Sequence, residues 1–413
     1  MKDSCYQIAK STKSIIKRLK TSGLSSVVTL LFIATFQLMG ITVKACGIKA
    51  SGATFQNGIN NPFVADSTID REKVLKTMEQ VADWQIAHQN EVKHDDLDWT
   101  NATLYIGMLE LSRISENQKY RKWLMQLGEK YGWQPKASYN SIYLADDIAV
   151  SQMFLGIYQD EKDERMLFPT QARTEWIVNH PSISTLYLDY SDYHTLERWS
   201  WCDALFMAPP VYAKMYNITK DVRYLEFMDK EYKLTTNLLY DRDDHLFYRD
   251  YRFLDQKSDN GRKIFWARGN GWVLGGLVNI LKEIPAYSRY RPYYENLFKD
   301  MCEKISTLQN GNGYWPVSLL DPGSFPNPET SGSGFFVYAL AYGINNGLLD
   351  REKYLPIVLK GWKALVDAVE PDGKLDWVQP VGYMPQQIRR EMTEVYGVGA
   401  FLLAGSEVYR LNK

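Results

Sequence analysis

Six polar residues, Asp98, Asp146, Asp147, Asp203, Asn270 and Ser333, stand where apolar, helix-period stretches of the chain begin. Asp, Asn and Ser are favoured N-caps, because a side-chain oxygen there accepts a hydrogen bond from the free N–H groups of the first turn. Polar groups converging among apolar walls are also what a concave site needs. Tryptophans crowd the same places: Trp99 beside Asp98, Trp199 and Trp201 beside Asp203, and Trp266 and Trp272 on either side of Arg268. Aromatic residues make up 14% of the chain, with 12 Trp and 28 Tyr, more than core packing ordinarily asks for. Ring faces stacking on sugars are one use for them, and burial in the core is the other. Arg268 between two indoles also suits a cation–π clamp.

Other chemistries have little to stand on. The five histidines, at 88, 94, 180, 194 and 245, form no HExxH pattern or close pair, so neither a metal site nor a cofactor is expected. The glycines of Gly269-Asn-Gly271 and of Ser331-Gly-Ser-Gly334 follow no strand and precede no GK[ST], so they are no phosphate loop. With 48 Lys and Arg against 49 Asp and Glu, there is no basic excess to hold a phosphate backbone, and nucleic acid is not an expected partner.

The elements that must carry these residues repeat. Segments beginning at Asp98, Asp146, Asp203, Asn270, Ser333 and Tyr396 are spaced 48–67 residues apart, room for two ordinary helices and their connections. Each opens on an apolar stretch rich in Gly and Ala, as expected of a helix packed on all sides. Amphipathic stretches follow, such as Asn117–Tyr131, Asp221–Tyr240, Arg289–Gln309 and Arg351–Val369. In one of them Leu297, Met301, Ile305 and Leu308 recur at helical spacing. Six such pairs predict an all-α toroid, an inner ring of helices wrapped by an outer ring. Only His245–Phe253 alternates as a hairpin arm would.

The N-terminus reads as an address. Lys2, Lys10, Lys13, Lys17, Arg18 and Lys20 precede an apolar run from Leu24 to Val43, and Lys44-Ala45-Cys46 follows. This pattern predicts export. Residues 1–46 are expected to be a signal peptide or a lipoprotein signal with a lipid anchor at Cys46, placing the protein in the periplasm or on the outer membrane. Residues 47–70 then serve as a linker and 71–413 as one catalytic domain. Cys202 and Cys302, left after such processing, make no disulfide framework.

Three motifs in fixed order, Trp201-Cys-Asp-Ala-Leu-Phe-Met-Ala-Pro-Pro210, Trp266-Ala-Arg-Gly-Asn-Gly-Trp272 and Glu329-Thr-Ser-Gly-Ser-Gly334, together with the six hairpins, resemble glycoside hydrolase family 105. Those enzymes are unsaturated rhamnogalacturonyl hydrolases, related to the unsaturated glucuronyl hydrolases of family 88. The resemblance spans roughly residues 70–412. It implies an (α/α)6 barrel and an oligosaccharide substrate whose non-reducing uronic acid carries a C4–C5 double bond. The bond is hydrated and the resulting hemiketal opens, so direct acetal hydrolysis between two carboxylates is not required. Carried onto this chain, the resemblance makes Asp203 the general acid/base and Asp146 the second carboxylate, with Asp147 as the neighbouring alternative. It places Trp99, Trp201, Trp266, Arg268 and Trp272 around the sugar. Arg268 would pair with a uronate carboxylate or hydroxyls. Arg249 stands where some relatives have a histidine, and Asn312–Pro316 is a candidate wall for the next sugar.

An unsaturated galacturonyl group on a rhamnogalacturonan fragment is the first substrate this implies. Unsaturated glucuronyl fragments of ulvan or glycosaminoglycans are the second, and a non-catalytic glycan-binding toroid is the third reading. Only the last has no use for Asp203.

Overall fold

The computed structural model describes residues 69–138 and 142–411. The expected export signal, Cys46 and most of the expected linker lie outside the described residues. Helices occur in alternating kinds. The first, α1 (Arg71–Ala87), is amphipathic and is followed by the apolar α2 (Trp99–Ser112) and then by α3 (Lys119–Lys130). Two broken apolar helices come next. One is α4 (Ala145–Ile148) with α5 (Ser151–Glu161), followed by amphipathic α6 (Glu164–Asn179). The other is α7 (Ala204–Met207) with α8 (Pro209–Thr219), followed by α9 (Val222–Leu239). The remaining helices are α10 (Ala267–Glu283), α11 (Arg291–Ser306), α12 (Thr330–Asn345), α13 (Arg351–Asp367) and α14 (Val395–Arg410).

Burial separates the rings. In α12 every residue from Thr330 to Ile344 is buried, whereas α11 buries only Tyr294, Leu297, Phe298, Met301, Cys302 and Ile305, one stripe at helical spacing. The apolar helices pack side by side in chain order, α2, α5, α8, α10, α12 and α14, and α14 closes the ring on α2. Each outer helix packs on the inner helix before it, and α1 covers α14. This is the (α/α)6 arrangement that the repeats predict.

The closing seam depends on missing side chains. A Cβ on Gly399 of α14 would stand 2.3 Å from the Thr103 carbonyl oxygen of α2, and one on Gly107 of α2 would stand 2.6 Å from the Gly399 oxygen. Neither backbone can give way without moving its helix. Gly399→Ala is therefore expected to cost about 1–3 kcal/mol through overpacking. Thermal unfolding followed by circular dichroism checks it, and an unchanged midpoint would mean that the seam is looser than its geometry.

The hairpin arm starts earlier and is shorter than the alternation of His245–Phe253 predicts. Strand β1 (Tyr240–Asp241) pairs antiparallel with β2 (Leu246–Phe247). Residues Tyr251–Phe253 instead turn into a single 3₁₀ helix, because the Asp250 side chain caps it by accepting from the Arg252 amide. What Asp250 does form is an isolated bridge to Trp201, and this bridge sets the site.

Candidate active site

The starts of the six inner helices meet at one end of the barrel, and most of their polar residues have structural duties. Asp98 caps α2, accepting from the Thr100 amide and hydroxyl at 3.2 and 3.1 Å, and pairs with Lys136. Asn270 grips both backbone groups of Phe247 and so fixes β2 to the barrel. Ser333 accepts from the Trp315 amide. Glu329 caps α12 by accepting from the amides of Ser331 and Gly332. Asp147 is buried, with its two oxygens accepting from the amide and hydroxyl of Ser138 at 2.6 and 2.7 Å. Two carboxyl groups remain. Asp203 stands just before α7 yet caps nothing with its side chain, which accepts from the Cys202 thiol at 3.5 Å, and Asp146 lies in the first turn of α4, which no side chain caps. Of the adjacent pair Asp146 and Asp147, Asp146 is the one raised by the charge of Asp203.

The two carboxyls feel one another. Asp203 is buried, and Asp146 is partly open to the mouth. Loss of water, then the charge of Asp203, pushes the Asp146 carboxyl up to about 8. Burial also raises Asp203, and Arg249 opposes that rise without cancelling it. The Arg249 Nε lies 3.3 Å from Asp203 Oδ2, but its N–H is aimed elsewhere and makes no hydrogen bond. Arg249 reaches this place because the Cys202 amide donates to the Arg249 carbonyl at 2.8 Å, beside the Trp201–Asp250 bridge. Its Nη1 donates to the Tyr190 hydroxyl and to Asp250.

The aromatic residues divide. Trp99 is half-buried at the mouth, stacked on Tyr396 at 5.5 Å and meeting the edge of Trp272 at 5.8 Å. Trp272, Phe206 and Phe335 pack on one another below the carboxyls, with ring centroids 4.6–5.4 Å apart. Trp201 and Trp266 are buried; Trp266 donates to the Gln379 side chain, and Trp201 serves the backbone bridge. Arg268 is mostly a clamp. Its terminal nitrogens donate to the carbonyls of Gln379 and Pro380 and its guanidinium lies over Trp266 and Tyr396, while Nε has no hydrogen-bond partner among the described residues. Arg268 Nε, Arg249 Nε and Trp272 Nε1 are buried donors without a hydrogen-bond partner among the described residues. Such donors are uncommon in a folded protein, and these three are free to donate to a ligand. The expected wall at Asn312–Pro316 is core from Gly313 onward and exposed only at Asn312: Trp315 is fully buried and donates to the Ile305 carbonyl, and Tyr314 donates to the Ala364 carbonyl.

Sequence reasoning missed the support beneath Asp203. Pro210 has no N–H for the Phe206 carbonyl, and the Val211 amide turns to Ala208 rather than Met207. The Gln152 side chain replaces both, donating to Phe206 at 2.7 Å and to Met207 at 3.1 Å. Asn279 donates to Gln152, and Tyr338 donates to Asn279. This buried chain links α12, α10, α5 and α7. The three polar residues amid apolar helices were the available signal.

A cavity of about 810 Å³ opens at the other end of the barrel, among Glu110, Lys282, Glu407 and Arg410. Those charges satisfy one another: Lys282 pairs with Glu407 at 2.9 Å, and Arg410 with both glutamates. Nothing reactive is left over there, and the carboxyl pair lies at the opposite mouth.

The sequence model described as Glycosyl Hydrolase Family 88 matches residues 77–412. The chain is 39% identical over 366 residues to an unsaturated 3S-rhamnoglycuronyl hydrolase of Formosa agariphila, covering 87% of this chain and 93% of that one. It is 36% identical over 402 residues to an enzyme of the same name from an Alteromonas species, covering 91% and 97%. Among solved structures, a glycosyl hydrolase family 88 protein from Bacteroides vulgatus superposes with a TM-score of 0.74 at 32% identity, covering 83% of this chain and 99% of that one.

Proposed function

Because the chain belongs to Glycosyl Hydrolase Family 88, we propose that it removes a 4,5-unsaturated uronic acid from the non-reducing end of an oligosaccharide by hydrating the C4–C5 double bond. The observation that carries this reading is the pair Asp146 and Asp203, two coupled carboxyl groups that cap no helix, both raised by burial and Asp146 to about 8.

The chemistry fits a pair that shares one proton. The pair gives a proton to C4 while water adds through oxygen to C5, and the proton that water loses returns to the pair. Arg249 beside Asp203 favours the anion there, so the proton rests on Asp146 in the free enzyme. Asp203 is then the group ready to take the proton from water, and the two exchange duties as the proton passes. The C5 hemiketal opens to a ketone, C1 becomes a hemiacetal, and the remaining oligosaccharide leaves as an alcohol. Trp99 supplies a ring face for the sugar. The three unpartnered donors supply hydrogen bonds to its carboxylate or hydroxyls.

Galacturonate and glucuronate differ in configuration only at C4. Once C4 is part of a double bond that difference is gone, and both yield the same unsaturated sugar. The choice between the two substrate readings therefore falls on the anomeric linkage and on the next sugar. The names of the two relatives support a rhamnose-containing uronide. We further propose export directed by residues 1–46, on their basic and apolar runs.

The test is ultraviolet absorbance. The conjugated alkene–carboxylate absorbs, and hydration abolishes the band. Incubation with an unsaturated uronyl-rhamnose disaccharide is expected to remove it. The rate is expected to fall as pH rises through about 8, because the Asp146 carboxyl loses its proton there. A band that persists with unsaturated uronides of both anomeric linkages would overturn the reading.

A further inference from the structure

We propose that Arg252, held between Tyr190 and Tyr383, forms the subsite that receives an anionic substituent on the sugar next to the scissile bond. The inference rests on the reaction proposed above and adds what the enzyme selects for. Since the unsaturated sugar is common to both substrate readings, selection must be made beyond it, and this is the group that the fold places there.

Position is the first argument. Asp203 lies against Arg249, whose Nη1 donates to the Tyr190 hydroxyl at 2.8 Å, and the face of Tyr190 lies 4.8 Å from the Arg252 guanidinium carbon. Arg252 is thus one layer outward from the carboxyl pair. On its other side stands Tyr383, 5.7 Å away on a separate loop. Tyr190 and Tyr383 are 53% and 46% exposed, and Tyr187, 58% exposed, rests its ring edge-on against Tyr251. Large exposed rings gathered from two loops around one mouth are informative where scattered ones are not.

Preorganisation is the second. Arg252 grips the fully buried Asp250 with Nε at 2.7 Å and Nη2 at 2.9 Å. This fixes the plane of the guanidinium while leaving Nη1 without a partner among the described residues. The side chain keeps 31% of its surface open. A guanidinium fixed on one edge and open on the other is built to receive a planar or tetrahedral oxyanion.

Charge is the third. Arg249 divides its charge between Asp203 and Asp250, and Arg252 has Asp250 as its one carboxylate partner, so the charge left facing the mouth is on the open edge of Arg252. Asp189, the other acid close enough to feel Arg252, is exposed and bonded to the amide and hydroxyl of Ser191. A sulfate ester or a second uronate carboxylate would offer that edge a charged acceptor.

The experiment compares kcat/KM for three unsaturated disaccharides. In one the second sugar is neutral rhamnose, in one it is rhamnose bearing a sulfate ester, and in one it is a second uronic acid. The expected result is a preference of at least about tenfold for one of the two anionic substrates, which tells the sulfate and carboxylate sources apart. It should reside in KM and shrink as salt is added. Arg252→Gln should bring the ratio near one, and Arg252→Lys should keep part of it. Tyr383→Ala, at an exposed ring, should reduce the same ratio and gives a second reading where Arg252→Gln folds poorly. Turnover of all three substrates at equal kcat/KM, or a preference untouched by both Arg252→Gln and Tyr383→Ala, overturns the subsite alone. Absorbance that persists with all three overturns the proposed reaction and the subsite with it.

Discussion

Asp203→Asn is expected to lower the hydration rate about 10²–10⁴-fold, the usual worth of a placed acid or base, and to leave the helical circular dichroism unchanged. The fold leans little on that carboxylate: it stands ahead of α7 without capping it, asparagine keeps an oxygen for the Cys202 thiol, and its charged neighbour Arg249 is also held by Asp250 and Tyr190. Asp146→Asn is expected to lose rate over the same range, because the proton destined for C4 rests on that carboxyl. The two variants differ in their residual pH dependence. In Asp203→Asn the negative charge that helps hold the Asp146 proton is gone, so the Asp146 carboxyl falls and the alkaline loss of activity moves to lower pH. Asp147→Asn is the contrast. It disturbs the grip on Ser138 and is read in stability, by roughly 1–3 kcal/mol for weakened buried hydrogen bonds. Initial rates from the alkene absorbance decide the matter, and either Asp203→Asn or Asp146→Asn keeping more than about a tenth of the rate would end the shared-proton account.

The second large effect lies behind the site. In Gln152→Leu the carbonyls of Phe206 and Met207 lose their donor, and the Asn279 amide loses its acceptor. Leucine fills most of the volume but bonds to none of them. Unpartnered groups in a dry core cost about 1–3 kcal/mol each and are not strictly additive, so the variant is expected to lose several kcal/mol. Because α7 carries Asp203 at its start, kcat is expected to fall along with stability. Chemical denaturation and turnover below the unfolding midpoint measure the two separately. A variant as stable as the parent would mean that the broken helix finds other partners.

The fold was legible because helix packing writes itself at short range. Leu297, Met301 and Ile305 repeat at helical spacing within one helix, and the structure buries all three. The fourth member of that stripe, Leu308, lies just past the end of α11 and is partly buried. The site was legible only as far as its parts are local. Asp146 and Asp147 are neighbours in sequence with the same side chain, and what separates them is Ser138, held by Asp147 from a preceding loop. Arg268 sits between two tryptophans as the motif promised, but the carbonyls that occupy it come from Gln379 and Pro380, more than a hundred residues later. Gln152 is one polar residue in an apolar helix until Pro210 removes an amide from a different helix. Trp315 next to Gly313 and Pro316 has the look of a surface wall, yet the loop tucks it beneath α12.

Trp272, Phe206 and Phe335 close the barrel under the carboxyl pair, and the Gln152–Asn279–Tyr338 chain lies among the same inner helices. The barrel is therefore a blind vessel and not a tunnel. A polymer cannot thread it from end to end. The unsaturated sugar exists only at a non-reducing end, so a terminus is what enters, and the cleaved sugar must back out through the same opening before the next end arrives. Turnover on a long chain is thus a series of separate visits, and shortening a polysaccharide into many fragments raises the number of usable ends without changing the enzyme at all.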